Sequence, residues 1–333
     1  EGKFYVWERN EIKKIIDPED FNIIEKYYGL DEEANFESRW HLTVSNDTEN
    51  IEKDSKFESE KLENIVKKCN KVLHKVRKLR TPPSLDKKQL TSWNALVIKG
   101  LAVSGRVLDR KDYIQSARES LEFIEKHQFD KNILMACYIN KMSKFPAYLD
   151  DHAFLLDAIL EFLQSKWDTK LLHFAIKLAD TLIDNFMDEE KGGFFFTRNN
   201  HEKLIFRSKP MSDDAMPSGN GIACFSLQRL GFLVGDEKYL HASKKTLESG
   251  FSLLKESPHG HLNLLNALEE YLDPPESIII VGEKNRISEW TKSTNKIFSP
   301  KRMVFSIPNN EKGLPESLAI KRSNEGEPTA YIC

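Results

Sequence analysis

Residues 207–220 read RSKPMSDDAMPSGN. Asp213 and Asp214 sit in a charged loop just ahead of a helix start. Pro217 suits a first helical turn, Ser218 and Asn220 can satisfy orphan amides, and Gly219 and Gly221 allow close approach of backbone or ligand. The apolar run from Ile222 to Val234 then predicts a buried helix. Two carboxylates and the Arg207 guanidinium ahead of such a helix fit a pocket floor, and equally a structural ion-pair network.

The same order occurs earlier, where Asp150 and Asp151 precede an apolar helix expected from His152 to Lys166. From Thr91 onward the chain reads as pairs of helices, each with an apolar first member and an amphipathic second. Trp93 to Gly105 pairs with Asp112 to His127, His152 to Lys166 with Thr169 to Met187, and Ser218 to Val234 with Glu237 to Leu254. The second members superpose, with Tyr113, Leu171 and Tyr239 at one position and Leu121, Ala179 and Leu247 at another. Between pairs lie an alternating apolar segment, Lys131 to Asn140, and an expected β-hairpin formed by Gly192 to Thr197 with Lys203 to Phe206.

An apolar helix must be covered on most sides, so the first members should form an inner layer and the amphipathic ones an outer layer. The expected fold is therefore mainly α. It is an incomplete (α/α) toroid of helical hairpins over residues 1–273, with short β-hairpin excursions. After Pro274 and Pro275 the pattern changes to strand (Ser277 to Val281), helix (Ile287 to Phe298) and strand (Met303 to Ile307), with Thr329 to Ile332 a third strand. Residues 274–333 thus read as a small α/β segment. In a toroid the inner helices run parallel, and their gathered N-termini favour carboxylates and polar ligands.

Upstream, EGKFYVW (residues 1–7) alternates like a strand, with short helices expected from Glu8 to Ile16 and from Phe21 to Tyr28. Residues 31–60 are polar and weakly patterned. A basic helix follows from Lys61 to Leu79 and ends at Pro82 and Pro83. The balance of 49 basic and 52 acidic residues, net −3, excludes the electrostatic footprint of a nucleic-acid or anionic-membrane binder. No apolar run reaches the length of a membrane span and residues 1–20 lack a signal-peptide pattern, so the expected location is cytoplasmic. Cys69, Cys137, Cys224 and Cys333 form no CxxC and have no His at metal-ligand spacing, which gives no support for a metal or a redox cofactor.

Taken in order, EGKFYVW, LTSWN, LDDHAFLL, GGFFFT, DDAMPSGN and the final TAYIC resemble the thioredoxin-domain-containing family that includes spermatogenesis-associated protein 20. The resemblance covers nearly the whole chain. It implies a six-hairpin toroid like those of N-acylglucosamine 2-epimerases and glycosidases, and a thioredoxin-like domain that this chain lacks. On that reading the chain is a fragment, a separately encoded C-terminal half or a shortened member, and an open toroid calls for its missing half or self-association. The family's further acidic pair ahead of LTSWN reads Asp86 and Lys87 here, so one carboxylate is replaced by a cation.

Glycoside hydrolysis needs two carboxylates about 5 Å apart for retention and further apart for inversion. Asp151 with Asp213 or Asp214 are the catalytic candidates. The competing reading makes these residues helix caps or ion-pair partners of Arg207 and Lys209. Epimerisation would call on a base such as His152, the one histidine beside an acidic loop. Trp93 offers an indole for sugar stacking and Asn94 an amide for a hydroxyl. Asp150, His152, Arg207, Ser218 and Asn220 complete the expected sugar-binding rim. Two functions stand open: a carbohydrate-binding or carbohydrate-active toroid, glycosidase-like or epimerase-like if an enzyme, and a non-catalytic scaffold for a thioredoxin-like domain.

Overall fold

A computed structural model describes residues 2–54, 57–295, 299–324 and 327–333. The backbone groups into two units, Glu1–Asp86 and Lys87–Cys333.

In the first unit a 3-10 turn over Gly2–Phe4 leads into β1 (Val6–Trp7), so the expected strand is short. Then come α1 (Arg9–Ile15), α2 (Pro18–Tyr28), β2 (Trp40–His41), α3 (Thr48–Asp54) and α4 (Ser59–Arg77). The polar stretch before residue 60 thus contains a strand and a helix that its weak pattern concealed. Asp17 caps α2 through the Glu19 amide, and Gly29 ends it at φ 62, a left-handed geometry glycine adopts without strain. Trp7, Ile12, Phe21, Ile24, Leu30 and Leu73 are among the residues of its core. Arg80 lies over the Trp7 ring, donates to the Phe4 and Val6 carbonyls and pairs with Glu11.

The second unit begins with β3 (Gln89–Leu90) and the hairpin α5 (Thr91–Val107) with α6 (Lys111–His127). Strands β4 (Phe129–Asp130), β5 (Ile133–Ile139) and β6 (Met142–Pro146) form a small antiparallel sheet with β3. Two more hairpins follow, α7 (Leu149–Ser165) with α8 (Thr169–Phe186) and α9 (Gly219–Val234) with α10 (Glu237–Glu256). Asp168 and Asp236 cap the outer helices α8 and α10 through amides in their first turns. A further helix, α11 (Leu262–Leu272), packs on α9 and adds an inner member that the pairwise pattern did not include.

Inner helices α5, α7, α9 and α11 lie side by side in that order, and α6, α8 and α10 each cover their hairpin partner. This is the expected layering of an (α/α) toroid. Helix α7 is buried from Asp151 through Gln164 without a break, which explains why apolar residues stand on every side of it, with Asp157 and Glu161 buried among them.

Two local expectations fail. Residues 192–206 make no hairpin, because their backbone groups bond elsewhere: Phe194 to the Asn220 side chain, Phe196 to Leu149 and Ser208, and Phe195 to Phe186. Helix α7 also starts three residues before His152, so Asp150 and Asp151 lie inside its first turn rather than ahead of it.

The C-terminal segment contains β7 (Glu276–Gly282), α12 (Lys284–Asn295), β8 (Arg302–Pro308), α13 (Glu316–Ala319) and β9 (Thr329–Ile332). Strand β7 pairs in parallel with β8 and antiparallel with β9. The expected helix to Phe298 runs past Asn295 into 296–298, which lie outside the described residues. Ile279, Met303, Phe305 and Ile307 share one core with α7 and α8, and Phe305 meets Trp167 edge to face. No helix among the described residues is long and apolar enough to cross a membrane.

Glycines test the inner contacts. A Cβ on Gly221 would stand 2.8 Å from the Asn263 Cβ and 3.0 Å from the Leu264 amide, whereas one on Gly100 meets nothing within 4 Å. Gly221→Ala should therefore cost about 1–3 kcal/mol through strain between α9 and α11. Gly100→Ala should gain about 0.5–1 kcal/mol from helix propensity. Urea unfolding followed by circular dichroism measures both, and equal effects of the same sign would contradict this packing.

Candidate functional site

The first turns of the inner helices present amides that no intrahelical carbonyl can satisfy. Asp151, in the first turn of α7, accepts from the Tyr148 amide and from the Ser92 amide at the start of α5, both at 2.9 Å. One carboxylate thus ties two helix starts together. Asp213 repeats the device across the next interval. It accepts from the Ser218 amide at 2.8 Å, the Asn263 amide at 3.0 Å and the Asn263 side chain at 2.8 Å, joining α9 to α11.

Other rim candidates are similarly engaged. Ser218 accepts from the Gly221 amide and donates to the Pro210 carbonyl. Asn220 is fully buried, accepting from the Phe194 amide and donating to the carbonyls of Phe194 and Pro210. Asn94 donates to the Leu90 carbonyl. Arg207 does not pair with Asp213 or Asp214; it lies over the Phe195 ring and donates to the Thr197 carbonyl. Lys209 pairs with Asp188 instead. Asp214 is exposed, with its amide bonded to the Met216 carbonyl. Trp93 is 59% exposed at the start of α5.

Asp150 differs from all of these. One carboxylate oxygen is sealed from solvent, and the side chain makes no hydrogen bond among the described residues. It stands against the start of α9, where a Cβ on Gly219 would come within 2.1 Å of its Oδ1. Burial, and then the charge of Asp151, push its pKa up to about 6. Burial raises Asp151 to about 6 as well, although there the Tyr148 and Ser92 amides pull the other way.

His152 is buried against Phe186, with Nδ1 2.9 Å from the Tyr148 carbonyl. A carbonyl only accepts, so Nδ1 carries the proton and Nε2 remains an acceptor. Burial first, then nearby Arg198, lower its pKa to about 4, so the ring is neutral at pH 7.

Sequence reading missed a group beside this turn. The Tyr148 and Phe196 rings stack at 5.0 Å, and Leu149 donates to the Phe196 carbonyl. Around them Thr197 Oγ1, Arg198 Nε and Nη1, His201 Nδ1 and Arg207 Nε are sealed from solvent without hydrogen-bond partners among the described residues. Arg198 donates to Asn185 and has no carboxylate partner there. Nothing in the polar run TRNNH distinguishes these residues from a solvated loop. Among the described residues, no three His, Cys, Asp or Glu side chains are placed to share a metal ion.

No family model matches the chain. Spermatogenesis-associated protein 20 of Homo sapiens is 26% identical over 376 residues, which cover 100% of this chain and 47% of that protein. Its counterpart in Rattus norvegicus is 26% identical over 340 residues, covering 93% and 42%. The chain spans about half the length of the curated relatives it matches. Among solved structures, a glycoside hydrolase family 76 α-mannanase from Bacteroides thetaiotaomicron has a TM-score of 0.46 at 14% identity, covering 76% of this chain and 67% of that one. Cellobiose 2-epimerase from Bacillus thermoamylovorans has a TM-score of 0.40 at 16% identity, covering 49% and 44%. By sequence, then, the chain is similar along its whole length to about half of spermatogenesis-associated protein 20.

Proposed function

We propose that the N-terminal rim of the inner helices binds a carbohydrate and that Asp150 exchanges a proton with it. The observation that carries this reading is the Asp150 carboxyl itself, largely buried and unbonded, with its pKa at about 6. A group tuned this way can give up or take a proton near neutral pH, as protonation of a glycosidic oxygen or abstraction of a sugar proton requires. Exposed Trp93 offers a stacking face. His152, neutral with Nε2 as acceptor, is the second proton acceptor on the same turn. Asp151 and Asp213, first expected as catalytic, serve in this reading as holders of the rim, with Asp214 left as the exposed second carboxylate.

A specific observation also favours the scaffold reading: Asp151, Asp213, Ser218 and Asn220 are all committed to internal bonds. Thermal shift with a panel of mono- and disaccharides separates the two. A ligand at a hundred times its Kd adds about 2.7 kcal/mol. A saturable shift reduced by Trp93→Ala and turnover lost in Asp150→Asn are expected, whereas no shift with any saccharide favours the scaffold.

Stability against pH gives a ligand-free test. A carboxyl whose folded pKa is raised helps stability fully only below its unfolded value near 3.8, and that help is lost as pH rises through about 6. Asp150→Asn should therefore raise stability at pH 8 by about 1–3 kcal/mol, with the gain vanishing near pH 4. Asp213 behaves oppositely. Burial opposes its charge, but the Ser218 and Asn263 donors outweigh it and lower its pKa, so its contribution is present at neutral pH and lost in acid. Asp213→Asn should cost about 1 kcal/mol at pH 7, and the two variants changing stability in the same direction at pH 8 would contradict these assignments.

A further inference from the structure

A cavity of about 230 Å³ lies toward the C-terminal ends of α5, α7 and α9, bordered by Ser299 and Pro300 just ahead of β8. Eleven residues of α7 separate Asp150 from Glu161 at its wall, so at 1.5 Å per residue it is about 17 Å from the rim. Lys99, Arg106, Arg229 and Arg302 line it, with Glu161 as the single carboxylate in the lining among the described residues. The other acids that balance these cations, Asp157, Glu270 and Glu276, stand outside the lining.

Hydrogen-bond capacity is just as asymmetric. Both Glu161 oxygens are engaged, Oε1 by Arg229 and Oε2 by Arg106 and Gln164, and Gln164 Oε1 accepts from the Val304 amide. Donors remain available. Lys99 Nζ uses one bond, to Asp157 at 2.6 Å, and Arg302 uses its Nε on Glu276, leaving the outer guanidinium nitrogens. Apolar wall is supplied by Phe225, Val103 and Val107.

We propose that this cavity binds a small organic anion. Its carboxylate or phosphate meets Lys99 and Arg302, and its apolar body lies against Phe225 and Val107. Arg106 and Arg229, held by Glu161 and Glu270, keep guanidinium groups on the wall without being free to collapse onto the ligand. A neutral molecule of the same shape leaves the spare donors unanswered and binds less well.

Isothermal titration of the whole chain with phenyl phosphate, benzoate and inorganic phosphate tests the proposal, with benzyl alcohol as the neutral match. Saturable 1:1 binding of phenyl phosphate or benzoate is expected, and the stronger of the two identifies the anionic group. Inorganic phosphate should bind more weakly and benzyl alcohol not at all. Arg302→Gln removes a donor from a partly exposed ion pair, and Val107→Phe fills the mouth while leaving every charge in place. Each should weaken binding about tenfold, or about 1.4 kcal/mol, with circular dichroism confirming that the variants are folded. No saturable binding of either aromatic anion, equal binding of benzyl alcohol, or affinity unchanged in both folded variants would overturn it. Because Asp150 lies at the other end of α7, loss of anion binding in Asp150→Asn would also overturn it, whereas failure of every saccharide at the rim leaves this result unaffected.

Discussion

The fold depends on carboxylates that hold the starts of neighbouring inner helices. Parallel helices bring positive dipole ends and unsatisfied amides to one face, an arrangement that is unfavourable until something negative bridges them. Asp151 bridges α5 and α7, and Asp213 bridges α9 and α11. Between α7 and α9 the tie is made differently, by Leu149 donating to Phe196 and by Asn220 clamping Phe194. The carboxylate at that interval, Asp150, has no hydrogen bond among the described residues. An acid held at a helix-rich positive end yet denied donors is a costly arrangement for the fold. That cost is the physical ground for reading it as functional, since a cap of equal charge lies one residue away.

Much of the architecture was legible because it follows from burial. A helix with apolar residues on every side, such as α7 or α9, has to be an inner helix even though a few polar groups are buried with it, and the amphipathic helix after it has to cover it. The outer helices start at Thr169 and Glu237, where the amphipathic pattern puts them, each capped by the preceding aspartate, Asp168 or Asp236. Helix α11 buries Leu264 and Ala267 while Leu262, Leu265 and Leu272 are exposed, and it stands outside the paired pattern. Residues 192–206 were not readable, because a local pattern of aromatic residues and turns says nothing of distant partners. The bonds from Asn220 and α8 decide that conformation.

The site was less legible than the fold for the same reason. Asp150 and Asp151 are adjacent and chemically identical, so sequence treats them alike. One residue of helix turns a side chain by a third of a circle less a little, which sends Asp151 toward Ser92 and Asp150 toward Gly219. Partners then separate a cap from an unbonded acid. Asp213 and Asp214 divide similarly, one taking three donors and the other facing solvent. Arg198 shows the converse, a cation in a polar run whose burial only the three-dimensional arrangement reveals.

The same dipoles govern the far end of the inner helices. There Arg106 stands in the last turn of α5, and Lys99, Arg106 and Arg229 pair with Asp157, Glu161 and Glu270. Burial opposes the Glu161 charge, yet Arg106 and Arg229 hold its pKa below the ordinary value, so the pairs stay ionised inside the core. Hydrophobic residues of equal volume would fill that space at no greater cost in stability, since buried ion pairs gain little over good packing. What apolar packing would not provide is a cavity whose cations face inward while most of their partners stand behind. Helix α7 therefore carries an unbonded acid at its positive end and a cation-lined cavity toward its negative end, and each feature departs from the arrangement that stability alone would favour.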